Sequence, residues 1–335
     1  MRVLSGDIGG THTRLALFDV SGGALQLVVQ RTFASRDYAG LGDIVREFTS
    51  EQQERCDRAC FGIAGPVAGG RSETTNLPWV IEARQLESGL GIERVFLIND
   101  LEANAHGISE LTGDDLVLLH EGAGEPEGNA AIISAGTGLG EAGLYWDGGR
   151  FRPFATEGGH TDFAPQNELD IALLRYLQQR FGHVSWERVV SGPGLVSIFE
   201  FLRHQRNVTV PAWVTERMAD GDPAATISEA GLEGRCEVCA EALDLFARYY
   251  GTEAGNLALK TMARSGVFLG GGIAPKIVRK LKTSAFIEPF SAKGRMRQLL
   301  VAMPVRVILN DRTALLGAAR FAASDGAGGG SWRFS

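Results

Sequence analysis

The sequence predicts an α/β protein of two lobes, each a mostly parallel or mixed sheet with helices packed on it. Three observations carry this reading. Short apolar runs that read as strands alternate with longer segments of helical spacing along the chain, the pattern of sheets covered by helices. One arrangement, strand, Gly-rich turn, strand, Gly-Gly hairpin, occurs twice, near residues 3–23 and 130–149, and reads as an internal duplication of an α/β half. A chain of 335 residues exceeds what one hydrophobic core usually serves, so two domains are expected.

The elements follow in order. Val3–Ile8 is an apolar run ended by Gly9-Gly10, a buried strand and a tight turn. Thr13–Val20 alternates as a strand, Ser21-Gly22-Gly23-Ala24 signals a hairpin, and Leu25–Phe33 is the returning strand. Leu41, Ile44, Val45 and Phe48 set a helix over Tyr38–Glu51. Ala59–Ala64 reads as a strand, Glu82–Leu90 as a helix stopped by Gly91, and Val95–Ile98 as a strand. Leu101–Leu111 reads as a helix that Asp100 caps. The second round has strands at Ala130–Ser134 and Glu141–Trp146, the latter closed by Asp147-Gly148-Gly149-Arg150. Helices are then expected at Leu169–Phe181, at Ser185–Gln205 with a Gly-Pro-Gly interruption, at Trp213–Ala219 and at Glu237–Met262. Val267–Leu269 is a strand running into Gly270-Gly271-Gly272, followed by helices at Pro275–Lys282 and Lys293–Ala302. A strand at Val305–Leu309 and a helix at Ala314–Ala323 complete the pattern, and 326–335 reads as a flexible tail.

Composition narrows the function. Glycine is abundant, 44 of 335 residues (44/335, about 13%), against about 7% in an average protein. The formal charge of −7 argues against a protein that coats nucleic acid. No apolar run reaches the 18 residues of a membrane span, and the start Met1-Arg2-Val3-Leu4-Ser5 enters a strand at once, unlike a signal peptide. Four cysteines make no disulfide framework, and a reducing cytoplasm is the simplest home.

The glycines gather at strand ends, where α/β folds bind ligands. In Gly6-Asp7-Ile8-Gly9-Gly10-Thr11-His12-Thr13-Arg14, two adjacent glycines leave backbone N–H groups able to point at phosphate oxygens. Thr11 adds a hydroxyl and Arg14 a positive charge, and Asp7 suits Mg²⁺ or its water shell. The bland reading is a structural hairpin. The spacing is neither a Walker loop nor a Rossmann fingerprint. Ser134-Ala135-Gly136-Thr137-Gly138-Leu139-Gly140 repeats the placement, so two such hairpins could grip one polyphosphate. Gly270-Gly271-Gly272-Ile273 offers side-chain-free backbone to a flat group such as adenine or ribose.

Polar residues supply the rest. Asn99-Asp100 ends a strand. Asp100 reads either as a helix cap or as a general base that takes a proton from a sugar hydroxyl. Glu157-Gly158-Gly159-His160 reads as a loop offering hydrogen bonds to vicinal hydroxyls, since its glycines argue against a helical metal pair. Glu187 reads as a further carboxylate or as favourable charge at a helix start, and Asn76 sits in a turn-like segment. Sugars are bound by such sets because each hydroxyl both donates and accepts. Cys236-x-x-Cys239 has no partner pair to make a zinc or redox site.

With these residues in hand, the chain resembles the bacterial glucokinases of the hexokinase–actin–Hsp70 ATPase superfamily, the group lacking the zinc motif, from Gly6 to about Gly317. The first two Gly-rich turns look like the family's phosphate motifs and Leu269-Gly270-Gly271-Gly272-Ile273 like its adenosine motif. Asn99, Asp100, Glu157, His160 and Glu187 look like its sugar-site residues. The related repressor–kinases carry a Cys/His zinc cluster after Glu-x-x-His; here Thr161-Asp162-Phe163-Ala164-Pro165 follows, which removes zinc from the expectation.

The resemblance implies a two-lobed actin-like ATPase (ribonuclease H-like) fold, with the active site in the cleft and the lobes closing on substrate. The expected division is a small domain of 1–110 plus about 311–325, and a large domain of 111–310 with a helical insertion. The implied reaction is ATP-dependent phosphorylation of D-glucose at its 6-hydroxyl, with Asp100 as base and Asn99, Glu157, His160 and Glu187 on the sugar; Asn76, from its turn-like segment, is a further candidate there. Gly9, Gly10, Thr11, Arg14, Gly136, Thr137 and Gly138 would hold the phosphates with Mg²⁺ near Asp7, and Gly270–Ile273 would back the adenosine. A homodimer is implied by the resemblance alone. The alternatives are a kinase for fructose, mannose or an N-acetylhexosamine, and a non-catalytic sugar sensor. The sensor is disfavoured because a motif starting at Gly6 leaves no room for an N-terminal helix-turn-helix.

Overall fold

The computed structural model describes residues 1–324 and Gly326, apart from Gln53, Glu54 and Thr75. The chain divides into two compact units, one of Met1–Asp115, Ala142–Ala155 and Asn310–Ser335, the other of Leu116–Glu141 and Thr156–Leu309.

In the first unit, β1 (Arg2–Ile8), β2 (His12–Ser21) and β3 (Ala24–Ala34) form an antiparallel meander. Its Gly22-Gly23 turn has both residues at positive φ, +58° and +85°, which a two-residue hairpin that follows strand twist requires. Helix α1 (Leu41–Gln52) buries Leu41, Ile44, Val45 and Phe48. It begins after a 3₁₀ turn at Ser35–Asp37, three residues later than spacing alone suggests. Strand β4 (Arg58–Ile63) pairs parallel to β1. The short strands β5 (Val67–Ala68), β6 (Arg71–Glu73) and β7 (Val80–Glu82) make a small sheet of their own. Helix α2 (Ala83–Leu90) stops at Gly91 in the left-handed conformation. Strand β8 (Arg94–Asn99) pairs parallel to β4, and helix α3 (Asp100–Gly107) follows without a loop. The sheet order is β3-β2-β1-β4-β8.

The second sheet begins with β9 (Leu116–His120), β10 (Ala130–Ala135), β11 (Leu139–Trp146) and β12 (Phe151–Thr156). A helical stretch follows: α4 (Glu168–Phe181), α5 (Gly192–Arg206), α6 (Ala212–Asp220), α7 (Pro223–Leu232) and α8 (Glu237–Thr261). Then come β13 (Gly266–Gly270), α9 (Val278–Leu281), α10 (Ser284–Ser291), α11 (Arg297–Val301) and β14 (Val305–Ile308), and α12 (Thr313–Ala323) returns to the first unit. The sheet order is β12-β11-β10-β13-β14-β9. Apart from the edge strand β9, it repeats the first sheet: a three-strand ribbon, then two strands parallel to its innermost member. The doubled motif in the sequence thus corresponds to a doubled topology.

Several expectations are corrected. The helix after β8 is capped by Asn99, whose Oδ1 accepts the N–H of Leu101, and Asp100 is its first residue. It ends at Gly107, with a 3₁₀ turn at Ile108–Glu110. The Gly-Pro-Gly at 192–194 does not interrupt a helix but starts α5: Ser191 caps it and Pro193 occupies its first turn, where a missing N–H costs nothing. The helix expected from Pro275 begins only at Val278, because 271–277 is a run of turns. Strands β5–β7, β9 and β12 and helices α7 and α10 had no counterpart in the sequence reading. The expected flexible tail at 326–335 lies outside the described residues except for Gly326, whose N–H closes back on Phe321 O at 3.0 Å.

Three apolar clusters hold the units. The second unit has one, centred on α8 and running from Ala131 to Val307. The first unit has one under α1 and α2 and another between its sheet and α12. Helices α3 and α12 touch backbone to backbone. A Cβ on Gly107 would overlap Thr313 O, and one on Gly317 would overlap Ala103 O. This contact seats the helix that begins with Asp100. No helix among the described residues is long and apolar enough to cross a membrane.

Candidate active site

Parallel pairing brings three strand ends of the first unit level: Ile8 is opposite Ile63, and Ile63 is opposite Asn99. Gly9-Gly10 and Asp100 therefore lie on one carboxyl edge, two strands apart, about 10 Å at ordinary strand spacing. The Gly9 turn is closed by its own N–H to His12 O at 3.0 Å and by Ser35 Oγ donating to Gly9 O at 2.8 Å. Thr11 is exposed. Asn76 packs against Gly10, where an added Cβ would lie 2.6 Å from the Asn76 Cβ.

Asp7 and Arg14 face each other across β1 and β2. Arg14 donates to Asp7 Oδ2 through Nη2 at 2.6 Å and Nε at 3.2 Å, and its Nη1 reaches Asp311 O at 2.8 Å. The guanidinium is thus held by acceptors of its own unit, and it orients the Asp7 carboxylate.

Asn99 works at both ends of its carboxamide. Its Oδ1 accepts from Leu101 N–H at 2.9 Å and Glu102 N–H at 3.4 Å, and its Nδ2 donates to Gly65 O at 3.2 Å. An amide nitrogen carries two protons, so this anchoring uses one. Asp100 then stands at the positive end of α3, with Oδ1 accepting from Leu101 N–H at 3.0 Å.

The second unit repeats the edge. Ser134 is opposite Gly270 on parallel strands, so the Gly136–Gly138 turn and Gly271-Gly272 are neighbours. The turn closes with Gly136 N–H to Gly138 O at 2.9 Å, and Ile273 N–H donates to Ala135 O at 3.3 Å. Gly271 has φ +79°, and a Cβ there would overlap Ala135 O. That is a position for glycine alone, on both conformational and steric grounds. Thr137 is exposed and Ile273 half-buried.

Glu187 is tied to this turn: its Oε2 accepts from Leu139 N–H at 3.0 Å and lies 2.5 Å from where a Gly138 Cβ would stand. The start of α5 locks the same region. Ser191 Oγ donates to Glu187 O at 2.7 Å, and Gly192 N–H donates to Gly136 O at 2.8 Å. Glu157 and His160 do not form an α-helical pair. Glu157 precedes, and His160 ends, a single 3₁₀ turn over Gly158–His160, packed so that a Gly159 Cβ would overlap Leu139 O. Their side chains are 66% and 61% exposed, with Oε2 and Nε2 3.9 Å apart.

Two further features bear on chemistry. Among the described residues no group of three or more His, Cys, Asp or Glu could hold a metal ion. Cys56, Cys60, Cys236 and Cys239 are free and buried. Burial raises the Cys56 thiol to about 11 and the Cys60 and Cys239 thiols above their ordinary value, so none of these three is a ready nucleophile. The sequence reading did not find the buried groups beneath the site: Glu141, Glu253 and the Tyr250 hydroxyl, which donates to Ile133 O at 3.1 Å.

Two sheets of the same strand order, each with a glycine turn after its innermost strand, are the architecture of the actin-like ATPase fold, a class of phosphoryl-transfer proteins. The comparisons narrow it. A family model described as Glucokinase matches residues 4–325. A glucokinase of a Nostoc species is 42% identical over 339 residues, covering 96% of this chain and 98% of the relative. That of Nostoc punctiforme is 42% identical over 336 residues, with the same coverage. Among solved structures, a glucokinase from an Antarctic psychrotroph is 32% identical with a TM-score of 0.83, covering 96% of this chain and 99% of that one. The chain belongs to the glucokinase family.

Proposed function

We propose that the protein transfers the γ-phosphoryl group of ATP to the 6-hydroxyl of D-glucose. The observation that carries the chemistry is the carboxylate of Asp100 at the end of a parallel strand, held by the Asn99 cap on the edge that carries the Gly9-Gly10 turn. Asp100 accepts the proton of O6–H as that oxygen attacks phosphorus. The new O6–P bond forms as the bond to the leaving oxygen of ADP breaks. Phosphoryl transfer needs little covalent work from the protein, so positioning and charge stabilisation dominate.

In this reading, backbone N–H groups at Gly9–Thr11 and Gly136–Gly138 bind phosphate oxygens, and the hydroxyls of Thr11 and Thr137 add donors. The bare backbone of Gly270–Ile273 backs the adenosine. Asn99 gives its second amide proton to the sugar, where Glu157, His160 and Glu187 bind further hydroxyls and Asn76 borders the site. Mg²⁺ in kinase sites keeps several waters and takes one or two carboxylates besides the substrate phosphates. A lone carboxylate fixed by Arg14 beside the first glycine turn fits that donor set, so Asp7 would hold the ion through its water shell. When bound, Mg²⁺ neutralises charge on the phosphates. The proposal includes a homodimer, as in the family resemblance, and a cytoplasmic home, which the four free cysteines favour.

The test is ADP release with ATP and Mg²⁺ across glucose, fructose, mannose and N-acetylglucosamine. The expected result is the highest kcat/KM with glucose; a larger value with another sugar overturns the substrate assignment. Glu157→Gln is expected to raise the KM for glucose about tenfold, the order of a weakened hydrogen bond to a charged group, while the KM for ATP stays within about twofold. Equal losses for both substrates would remove Glu157 from the sugar.

A further inference from the structure

The 3₁₀ turn that carries Glu157 and His160 rests on a buried acid. Glu141, two residues beyond Leu139 on β11, is 1% exposed. Its Oε2 fills the space beside Gly158 that a Cβ would need. The main chain makes a second link: Thr156 Oγ1 donates to Glu141 O at 3.0 Å and accepts from Gly158 N–H at 3.3 Å. On its other side Glu141 meets Glu253 of α8, 0% exposed, in a carboxyl–carboxyl contact. Glu253 is supported by Asn256 Nδ2 at 2.7 Å and Lys260 Nζ at 3.5 Å. Among the described residues no donor reaches Glu141 Oε1.

Two ionised carboxylates are acceptors only, so this contact is a hydrogen bond only if one of them carries a proton. The amide of Asn256 and the ammonium of Lys260 donate to Glu253, which points to Glu141 as the protonated partner. We propose that Glu141 is a positioning residue for the sugar-binding turn: its carboxyl keeps a proton, gives it to Glu253 as a hydrogen bond, and forms the neutral floor from which Glu157 and His160 are aimed. The proposal rests on the reading of Glu157 and His160 as sugar contacts.

The charged and titratable surroundings agree. Burial first, and then the negative charge of Glu253, raise Glu141 to about 8, against the opposing pull of Lys260. Glu253 is itself raised, chiefly by burial. Tyr250 of α8 is also near and is raised by burial. Lys293 is lowered by burial and donates to Thr252 O and Asn256 Oδ1. Across the turn stand Glu157 and His160. A carboxyl raised above its ordinary value is neutral below its shifted pKa, so the floor is intact through neutral pH and is lost as pH rises through about 8. An anion there would face Glu253 without a proton between them, directly under Gly158.

The experiment is the pH dependence, from 6 to 9.5, of the KM for glucose and for ATP. The wild type is expected to show a glucose KM that is flat to about pH 8 and then climbs roughly tenfold per unit, the slope of one proton, with the KM for ATP unmoved. Glu141→Gln keeps a hydrogen-bond donor without a titrating proton. It should retain the neutral-pH value and lose the alkaline climb. Glu141→Leu should raise the glucose KM roughly 2- to 10-fold at every pH, the effect of one lost hydrogen bond. Should Glu141→Gln not fold, Glu253→Gln serves: it removes the facing charge and should move the climb to lower pH. A climb that persists in Glu141→Gln, a climb unmoved in Glu253→Gln, or a flat wild-type profile overturns the proposal. A Glu157→Gln variant run in parallel separates the two levels. If it leaves the glucose KM unchanged, the sugar-site reading fails; if it raises that KM while the Glu141 variants match the wild type, only the role of Glu141 fails.

Discussion

Replacing Asp100 by alanine is expected to lower kcat for glucose phosphorylation by about 10²–10⁴-fold, the usual contribution of a general base, while glucose still binds and the protein stays folded. The structure makes the separation of roles clean. The Leu101 N–H that donates to the Asp100 carboxylate is also held by Asn99 Oδ1 at 2.9 Å, so α3 keeps its cap when the carboxylate is removed. Its far end is seated by the close contact with α12 at Gly107 and Gly317. Thermal melting, glucose calorimetry and steady-state ADP release on the same sample read the three properties. A kcat within about tenfold of the wild type would remove Asp100 from the role of base, since general-base catalysis is worth more than that.

How much of this was legible in the sequence depends on range along the chain. The glycine turns could be read because strand, turn and strand are consecutive, and the side-chain-free backbone is itself the signal. The repeat of that pattern foretold the repeated sheet order. Asn99 and Asp100 are adjacent and both are good caps, so periodicity located the helix start to within one residue and assigned the cap to the wrong one. That detail matters, because the cap is what leaves Asp100 on the helix end. Strands β5–β7 have two or three residues each, too few for alternation to appear. The buried layer beneath the site was not legible at all. Glu141 sits in a strand among small residues and Glu253 lies within α8; each, alone, reads as a surface charge. Only the fold makes them neighbours.

The same limit hides a residue with a large expected effect on stability. Asp170, on the first turn of α4, is 2% exposed. It accepts from the Arg248 guanidinium and from Tyr249 Oη at 2.9 Å, both on α8, and from Gln166 N–H at 3.0 Å. Asp170→Ala leaves a tyrosine hydroxyl and a guanidinium facing a space without an anion. Removing one partner of such a buried pair costs about 3–5 kcal/mol, and the partly exposed Arg248 side chain, at 27%, can turn toward water, which favours the lower figure. Asp170→Asn keeps an acceptor and should lose less. The measurement is the urea midpoint at constant slope. A shift below about 1 kcal/mol, the level of an ordinary surface pair, would show that α8 does not depend on this anchor. Helix α8 also carries the Tyr250 hydroxyl on Ile133 O, next to the second glycine turn, and Glu253 beneath the turn of Glu157 and His160. Loosening its attachment should therefore weaken glucose and ATP binding together, opposite to Asp100→Ala, where binding stays and turnover goes.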